Sequence, residues 1–257
     1  MVFTNKHSRP TLQPIYLNNS QISEVASHCN LGLHINNKLT WEDHISNVTA
    51  KASKRLNVIS RYKTKLPHLA LETLYLSMVR PVLEYGNVIY DSMSLSFDEL
   101  LEKTQRRAAI ICTGAYRHTE TQTLLQEVGW PTLSMRRQQH KLQLFYKIRS
   151  GQYPDYIKRL VPEPVNNRYT LRTQGHLPPL HTRLVSTAKS FIPSTIKLWN
   201  KLSATTVAAP SLSIFKEQIM GNPIKRKPYN TFCTGRQGIW LSWLCMGLSA
   251  LCYHCFT

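Results

Sequence analysis

Carboxylates are scarce in this chain of 257 residues, which holds 14 Asp and Glu against 32 Lys and Arg. The adjacent acidic residues Glu42 and Asp43 are accounted for by a helix N-terminus, where acidic side chains offset the helix macrodipole. Enzymes that transfer phosphoryl groups on nucleic acids usually hold divalent metals with clustered carboxylates. The scarcity argues against a complete site of that class. We expect no catalytic residues, no metal and no cofactor.

Other motifs that carry chemistry are missing as well. The sequence has no glycine-rich phosphate loop, no G-x-S-x-G turn and no H-E-x-x-H pair. Cys252 and Cys255 form one C-x-x-C, but Cys245 and Cys233 lie at a spacing that does not suit a zinc finger. The first ten residues lack the apolar core of a signal peptide. We therefore expect an intracellular protein, either cytoplasmic or nuclear, with reduced thiols.

The excess of positive charge indicates a polyanionic partner. The formal net charge is +18, which is more than solubility alone requires. Residues 1–102 hold 10 basic and 9 acidic side chains, whereas residues 103–257 hold 22 and 5. This distribution predicts that nucleic acid binds the second part of the chain.

The last 19 residues, 239–257, contain no charged side chain, and their length is about what a bilayer requires. A second interpretation is therefore open: a tail-anchored membrane protein in which residues 239–256 span the bilayer and the cluster Lys225 to Lys227 stays cytosolic. Ser, Gly, His and Tyr within the segment make it only modestly apolar. Membrane attachment is thus the alternative to nucleic-acid binding.

The hydrophobic pattern predicts a mainly α-helical fold with a small β element at the N-terminus. Short apolar runs around the turn residues Asn18 and Asn19 indicate strands. A helical period begins after Thr40, a candidate N-cap, and places Ile45, Val48, Ala52, Leu56 and Ile59 on one face. Further helices are predicted after Pro67, from about Ser96, over residues 119–128, from Pro131 to Ser150, and over residues 196–202 and 212–219.

These patterns divide the chain into four parts. We predict strands in 1–39, a helical body in 40–161, an irregular proline-containing connector in 162–187, and a basic C-terminal unit with an uncharged tail in 188–257. On the helix from Ser96, which Gly114 is predicted to end, the residues predicted to face the core are Phe97, Leu100, Leu101, Ala108 and Ile111.

Nucleic acid is predicted to bind the cations of the two longest helices in the second part, because phosphate contacts dominate its affinity. The residues expected to contact the backbone are Lys103, Arg106, Arg107, Arg136, Arg137 and Lys141. Tyrosines interleave with the basic residues and offer stacking surfaces for unpaired bases. These tyrosines are Tyr116, Tyr146, Tyr153, Tyr156 and Tyr169.

Five segments in order resemble the C-terminal part of a non-LTR retrotransposon reverse transcriptase, of the kind found in jockey elements. They are LGLHINNKLTWEDHI at 31–45, LYLSMVRPVLEYGNVIYD at 74–91, LEKTQRRAAIICTGAYR at 101–117, LLQEVGWPTLSMRR at 124–137 and FIPSTIKLWNKL at 191–202. The resemblance covers nearly the whole chain and depends on the order and spacing of the five segments together.

The resemblance implies the end of a polymerase palm, a helical thumb and the region beyond it. MVFTNK at the start resembles the strand that follows the catalytic Tyr-x-Asp-Asp hairpin of that family, and the hairpin itself is not in this sequence. We therefore expect a fragment of an RNA-directed DNA polymerase that is inactive alone. Its expected partners are RNA or an RNA/DNA hybrid, and the missing fingers and palm portion.

Overall fold

A computed structural model describes residues 1, 3, 13–164 and 176–220 of this chain. Two β-hairpins come first, and helices follow. The strands are β1 (Tyr16–Leu17), β2 (Ser20–Gln21), β3 (Ser27–Asn30) and β4 (Leu33–Asn36). The first helices are α1 (Glu42–Arg61), α2 (His68–Leu74), a π-helical turn (Tyr75–Val79), α3 (Arg80–Glu84), α4 (Asn87–Tyr90), α5 (Leu95–Thr113) and α6 (Thr121–Val128).

The remaining described helices are α7 (Leu133–Arg149), α8 (Asp155–Lys158), α9 (Val185–Lys189), α10 (Phe191–Trp199), α11 (Ala204–Val207) and α12 (Leu212–Met220). The predicted mainly α fold with a small N-terminal β element is confirmed.

Each hairpin turns on two residues in the left-handed region. Asn18 and Asn19 have φ of 47° and 61°, and they join the antiparallel strands β1 and β2. Leu31 and Gly32, with φ of 48° and 79°, join β3 and β4 in the same way. Two successive positive φ values define the type I′ turn, whose twist matches that of the flanking strands. The turn predicted at Asn18 and Asn19 is confirmed.

The start of α1 differs from the prediction. Thr40 does not cap the helix, because the carboxamide of Asn36 binds both its hydroxyl, at 2.6 Å, and its backbone N–H, at 3.0 Å. Trp41 takes the N-cap position with φ of 62°. Its indole is buried and donates from Nε1 to Ser92 Oγ at 3.1 Å. The helix therefore begins where a buried tryptophan anchors the chain.

Pro81 changes the helix in which it lies without ending it. Its ring leaves no room for the carbonyl of Ser77 and it has no N–H to donate, so regular α-helical bonding cannot continue there. The chain instead widens into the π-helical turn Tyr75–Val79, whose cap at Arg80 donates its backbone N–H to Tyr75 O. The carbonyl of Met78 accepts a hydrogen bond from Arg55 Nη1 of α1.

A first hydrophobic core joins α1, α2, the π-helical turn, α5 and α6. The five residues predicted on one face of α1 are all buried. On α5, Leu101 and Ala108 are fully buried and Ile111 nearly so, as predicted. Leu100 was wrongly predicted to face the core, since it is 38% exposed, and Ala109 is buried instead. Trp130 stacks on Tyr75, with ring centroids 4.2 Å apart.

A second core lies between the other side of α7 and the C-terminal helices. Phe145 and Tyr146 of α7 contact the rings of Trp199 of α10 and Phe215 of α12. Trp199 and Phe215 also stack on each other, with centroids 5.6 Å apart. α7 thus contributes to both cores, because Leu133 at its start belongs to the first.

The predicted division into four parts stays a prediction. The described residues all belong to one compact unit. Where the connector is described, residues 162–164 and 176–184 contain no helix or strand. Residues 165–175 and the uncharged tail lie outside the described residues, as do Cys233, Cys245, Cys252 and Cys255. Within the described part of the chain, no helix has the length and apolar character to cross a membrane.

Replacement of Gly86 by alanine is expected to lower the free energy of unfolding by about 2 kcal/mol. Gly86 has φ of 66°, and a Cβ there would lie 2.8 Å from Leu33 Cδ2, whose side chain is buried in the first core. Gly151→Ala is the matched control, because Gly151 has φ of 75° but open space around it. Chemical denaturation should show a smaller loss for Gly151→Ala, about 1 kcal/mol. Equal losses would mean that the clash with Leu33 costs nothing.

Candidate nucleic-acid interface

The six cations predicted to bind nucleic acid fall into two groups of three. Those of α7 are engaged with carboxylates from the preceding helices. Arg136 binds Glu84 through two of its nitrogens, and Arg137 binds Asp98 as well as Asp91, the latter at 3.1 Å. Lys141 Nζ donates to Asp91 Oδ2 at 2.6 Å and to Ser194 Oγ at 2.7 Å.

This network changes the predicted site. The side chains of Arg137 and Lys141 are 4% and 2% exposed, and a buried charge that already has its counter-ion cannot reach a phosphate without breaking that pair. The hydrogen bond to Glu84 also raises the pKa of Arg136, which keeps this half-buried guanidinium charged and paired. Arg136, Arg137 and Lys141 are therefore left out of the interface, and their role in the structure is to hold α7 against α3, α4 and α5.

The three cations of α5 lie together on an open cleft. Lys103, Arg106 and Arg107 line it with Arg117, which follows the end of α5, and with Ser60 from the end of α1. The volume of the cleft is about 430 Å³. Ile110 and Ile111 complete its lining, so that no carboxylate lines it among the described residues. Four positive charges that take part in none of the ion pairs found among the described residues favour an anionic ligand.

Two of these arginines also order the walls of the cleft. Arg106 Nη2 donates to the carbonyl oxygens of Arg117 and Thr119, at 2.6 Å and 2.9 Å. Arg107 Nη2 donates to Asn57 Oδ1 of α1 at 2.6 Å. The first contact fixes the segment after α5, and the second joins α5 to α1. Both guanidinium groups keep other N–H donors for a ligand, since each carries five.

The second half of α1 and the turn that follows it are basic too, and the sequence-based prediction did not include them. Residues 51–65 hold six cations and no acid, and all six are exposed: Lys51, Lys54, Arg55, Arg61, Lys63 and Lys65. The net charge counted over residues 1–102 concealed this run, because the count also included the acids Glu84, Asp91 and Asp98, which pair with cations of α7. A count in shorter windows would have found it.

The tyrosines predicted to offer stacking surfaces also divide. Tyr146 is buried and donates its hydroxyl hydrogen to Ala209 O at 2.8 Å, so it belongs to the second core. Tyr116, beside the cleft, is 74% exposed, and Tyr156 is 69% exposed. Tyr153 is partly buried, and Tyr169 lies outside the described residues.

No metal site accompanies these features in the described residues, where no three His, Cys, Asp or Glu side chains are close enough to hold an ion. Comparisons of the chain with protein-family models, with curated proteins and with solved structures gave no match. The resemblance to a reverse transcriptase therefore remains a prediction from the five segments.

Proposed function

We propose that this chain binds RNA or an RNA/DNA hybrid through the basic surface of α1 and α5. In this proposal it is the thumb-like portion of a non-LTR retrotransposon reverse transcriptase, and it has no polymerase activity by itself. The observation that carries the proposal is the cleft of Lys103, Arg106, Arg107 and Arg117, which lies beside the exposed cations of residues 51–65.

Charge pairing supports the choice of this surface over α7. The acids Glu84, Asp91 and Asp98 neutralise three cations of α7, namely Arg136, Arg137 and Lys141. The cations of α1 and of the second half of α5 have no such partners in the ion pairs found among the described residues. These unpaired cations of α1 and α5 are the ones that support the proposed interface, because a polyanion that binds them releases its counter-ions without breaking an ion pair of the protein.

Exposed apolar side chains support the proposed partnership with a fingers and palm portion. Four apolar side chains in the hairpins or directly beside them are 52% to 82% exposed: Ile15, Leu17, Ile22 and Leu31. A two-stranded hairpin is marginally stable alone, and a larger sheet would cover these side chains. An RNA-binding chain would meet its partner in the cytoplasm or the nucleus, which is the location predicted from the sequence.

Salt-dependent binding tests the proposal. The full chain should bind single-stranded RNA and an RNA/DNA hybrid with an affinity that falls steeply as salt rises, and should not extend a primer. The triple variant Lys103→Gln/Arg107→Gln/Arg117→Gln should bind at least about tenfold more weakly at physiological salt. Its slope of log affinity against log salt for single-stranded RNA should be shallower by about 2, because each lost contact contributes about 0.7.

The matched control removes the same charge elsewhere. Lys158, Lys197 and Lys201 are exposed and lie away from the lining of the cleft. Their replacement by glutamine should leave the slope nearly unchanged. Equal effects of the two triple variants would show that net charge alone attracts RNA, and the proposed site would then be wrong.

A further inference from the structure

The segment that follows α5 carries two exposed aromatic rings on the residues that flank Arg117, which lines the cationic cleft. Tyr116 and His118 lie on either side of Arg117, and their ring centroids are 5.4 Å apart with planes at 49°. All three side chains are exposed. Arg117 lines the cleft, so the rings belong to residues adjacent in sequence to a phosphate-binding candidate.

This segment is held in place without a ligand. Gly114, with φ of 70°, ends α5 and turns the chain. Thr119 N donates to Tyr116 O at 3.0 Å, which closes a turn around Arg117 and His118. The guanidinium of Arg106 donates hydrogen bonds to the carbonyl oxygens of Arg117 and Thr119 and so holds this turn against α5. A ligand that used the rings would therefore meet an ordered surface and would lose little affinity to the ordering of a loop.

We infer that Tyr116 and His118 stack against an unpaired base of a single strand, and that the backbone phosphates next to this base lie in the cleft of Lys103, Arg107 and Arg117. The inference rests on the proposed function and names its substrate class: single-stranded nucleic acid rather than a duplex. A cationic groove beside exposed aromatic rings is the arrangement by which proteins hold single strands, because every base has a face that can stack. A base pair inside a duplex keeps both faces covered by its neighbours, so a duplex can use only the cations.

The cations of the cleft and the aromatic rings recognise different features of a nucleic acid: the cations bind phosphates, and the rings bind the face of a base. The cations should contribute to binding of any nucleic acid, whereas Tyr116 should contribute only where a base is free. Arg106 is a positioning residue in this scheme, since its guanidinium fixes the turn that carries the rings.

Replacement of Tyr116 by alanine separates these contributions. Binding of the full chain is measured with single-stranded RNA and with a blunt RNA/DNA hybrid of the same length. Tyr116→Ala should weaken binding of the single strand roughly tenfold, the effect of losing one stacked base, and should change hybrid binding less than about twofold. Tyr116→Phe should bind like the unaltered chain, because the ring and not the hydroxyl makes the contact.

Tyr156→Ala is the matched control, since Tyr156 is similarly exposed but lies on α8 among Asp155, Lys158 and Arg159. It should leave both affinities unchanged. If Tyr116→Ala weakens single strand and hybrid equally, or neither, the stacking inference is wrong while the proposed function stands. A poly-glutamate peptide whose binding depends on Tyr116 would also overturn it. If the unaltered chain binds neither the single-stranded RNA nor the RNA/DNA hybrid, both proposals are wrong.

Discussion

Asp91→Asn is expected to lower the free energy of unfolding by about 3 kcal/mol, the cost of leaving a buried cation without its counter-ion. Asp91 is the one carboxylate bound by both Arg137 and Lys141 in the described ion pairs. Arg137 would keep Asp98, but Lys141, whose side chain is 2% exposed, would keep only the hydroxyl of Ser194. Urea denaturation followed by far-ultraviolet circular dichroism would measure the loss.

Removal of the other partner should cost much less. In Lys141→Met the carboxylate of Asp91 keeps Arg137, and the new side chain places an apolar chain of similar length in a buried site, so we expect a loss of about 1 kcal/mol or less. The exposed Asp155→Asn, in the first turn of α8, should also cost under about 1 kcal/mol. A loss for Lys141→Met as large as that for Asp91→Asn would show that the pair itself stabilises the fold, and the explanation from an unpaired buried cation would be wrong.

Helix positions could be predicted from the sequence where a few neighbouring residues determine them. Ile45, Val48 and Ala52 recur at helical spacing and are buried, and Gly114 ends α5 in the left-handed conformation. These features depend on a few neighbouring residues. The start of α1 was predicted less well. Thr40 was expected to be the N-cap, but the side chain of Asn36 binds its hydroxyl and its backbone N–H, and Trp41 takes the N-cap position.

The candidate site depended on contacts that the sequence does not display. Glu84 and Asp91 lie about fifty positions before the cations that they neutralise, so a charge count along the chain could not pair them. The same pairing removes α7 from the predicted interface and leaves the cations of α5 on the surface. Ser60 joins that cleft because α1 packs against α5, and Arg117 joins it because Arg106 binds the segment after α5. Residue type thus predicts a class of partner, while tertiary packing determines which cations are available to the proposed interface.

Trp199→Ala should release the C-terminal helices from α7 while the first core stays folded. Trp199 is 2% exposed, and its ring contacts Phe145, Phe215 and the guanidinium of Arg149. Its Nε1 makes no hydrogen bond within the described part of the chain, so the loss is one of packing and cavity formation, about 3 to 5 kcal/mol. Because the second core is small, a loss of this size should open it independently of the first.

Hydrogen exchange measured by mass spectrometry resolves the two cores. In Trp199→Ala the amides of α10 and α12 should lose protection, whereas those of α1 and α5 should keep it. Trp130→Ala is the reciprocal control, because Trp130 stacks on Tyr75 in the first core, and it should expose α2 and α5. If Trp199→Ala instead reduces protection evenly over both cores, then α7 and the contact of Lys141 with Ser194 couple them into one cooperative unit, and the division predicted near residues 162–187 does not correspond to an independently folding boundary.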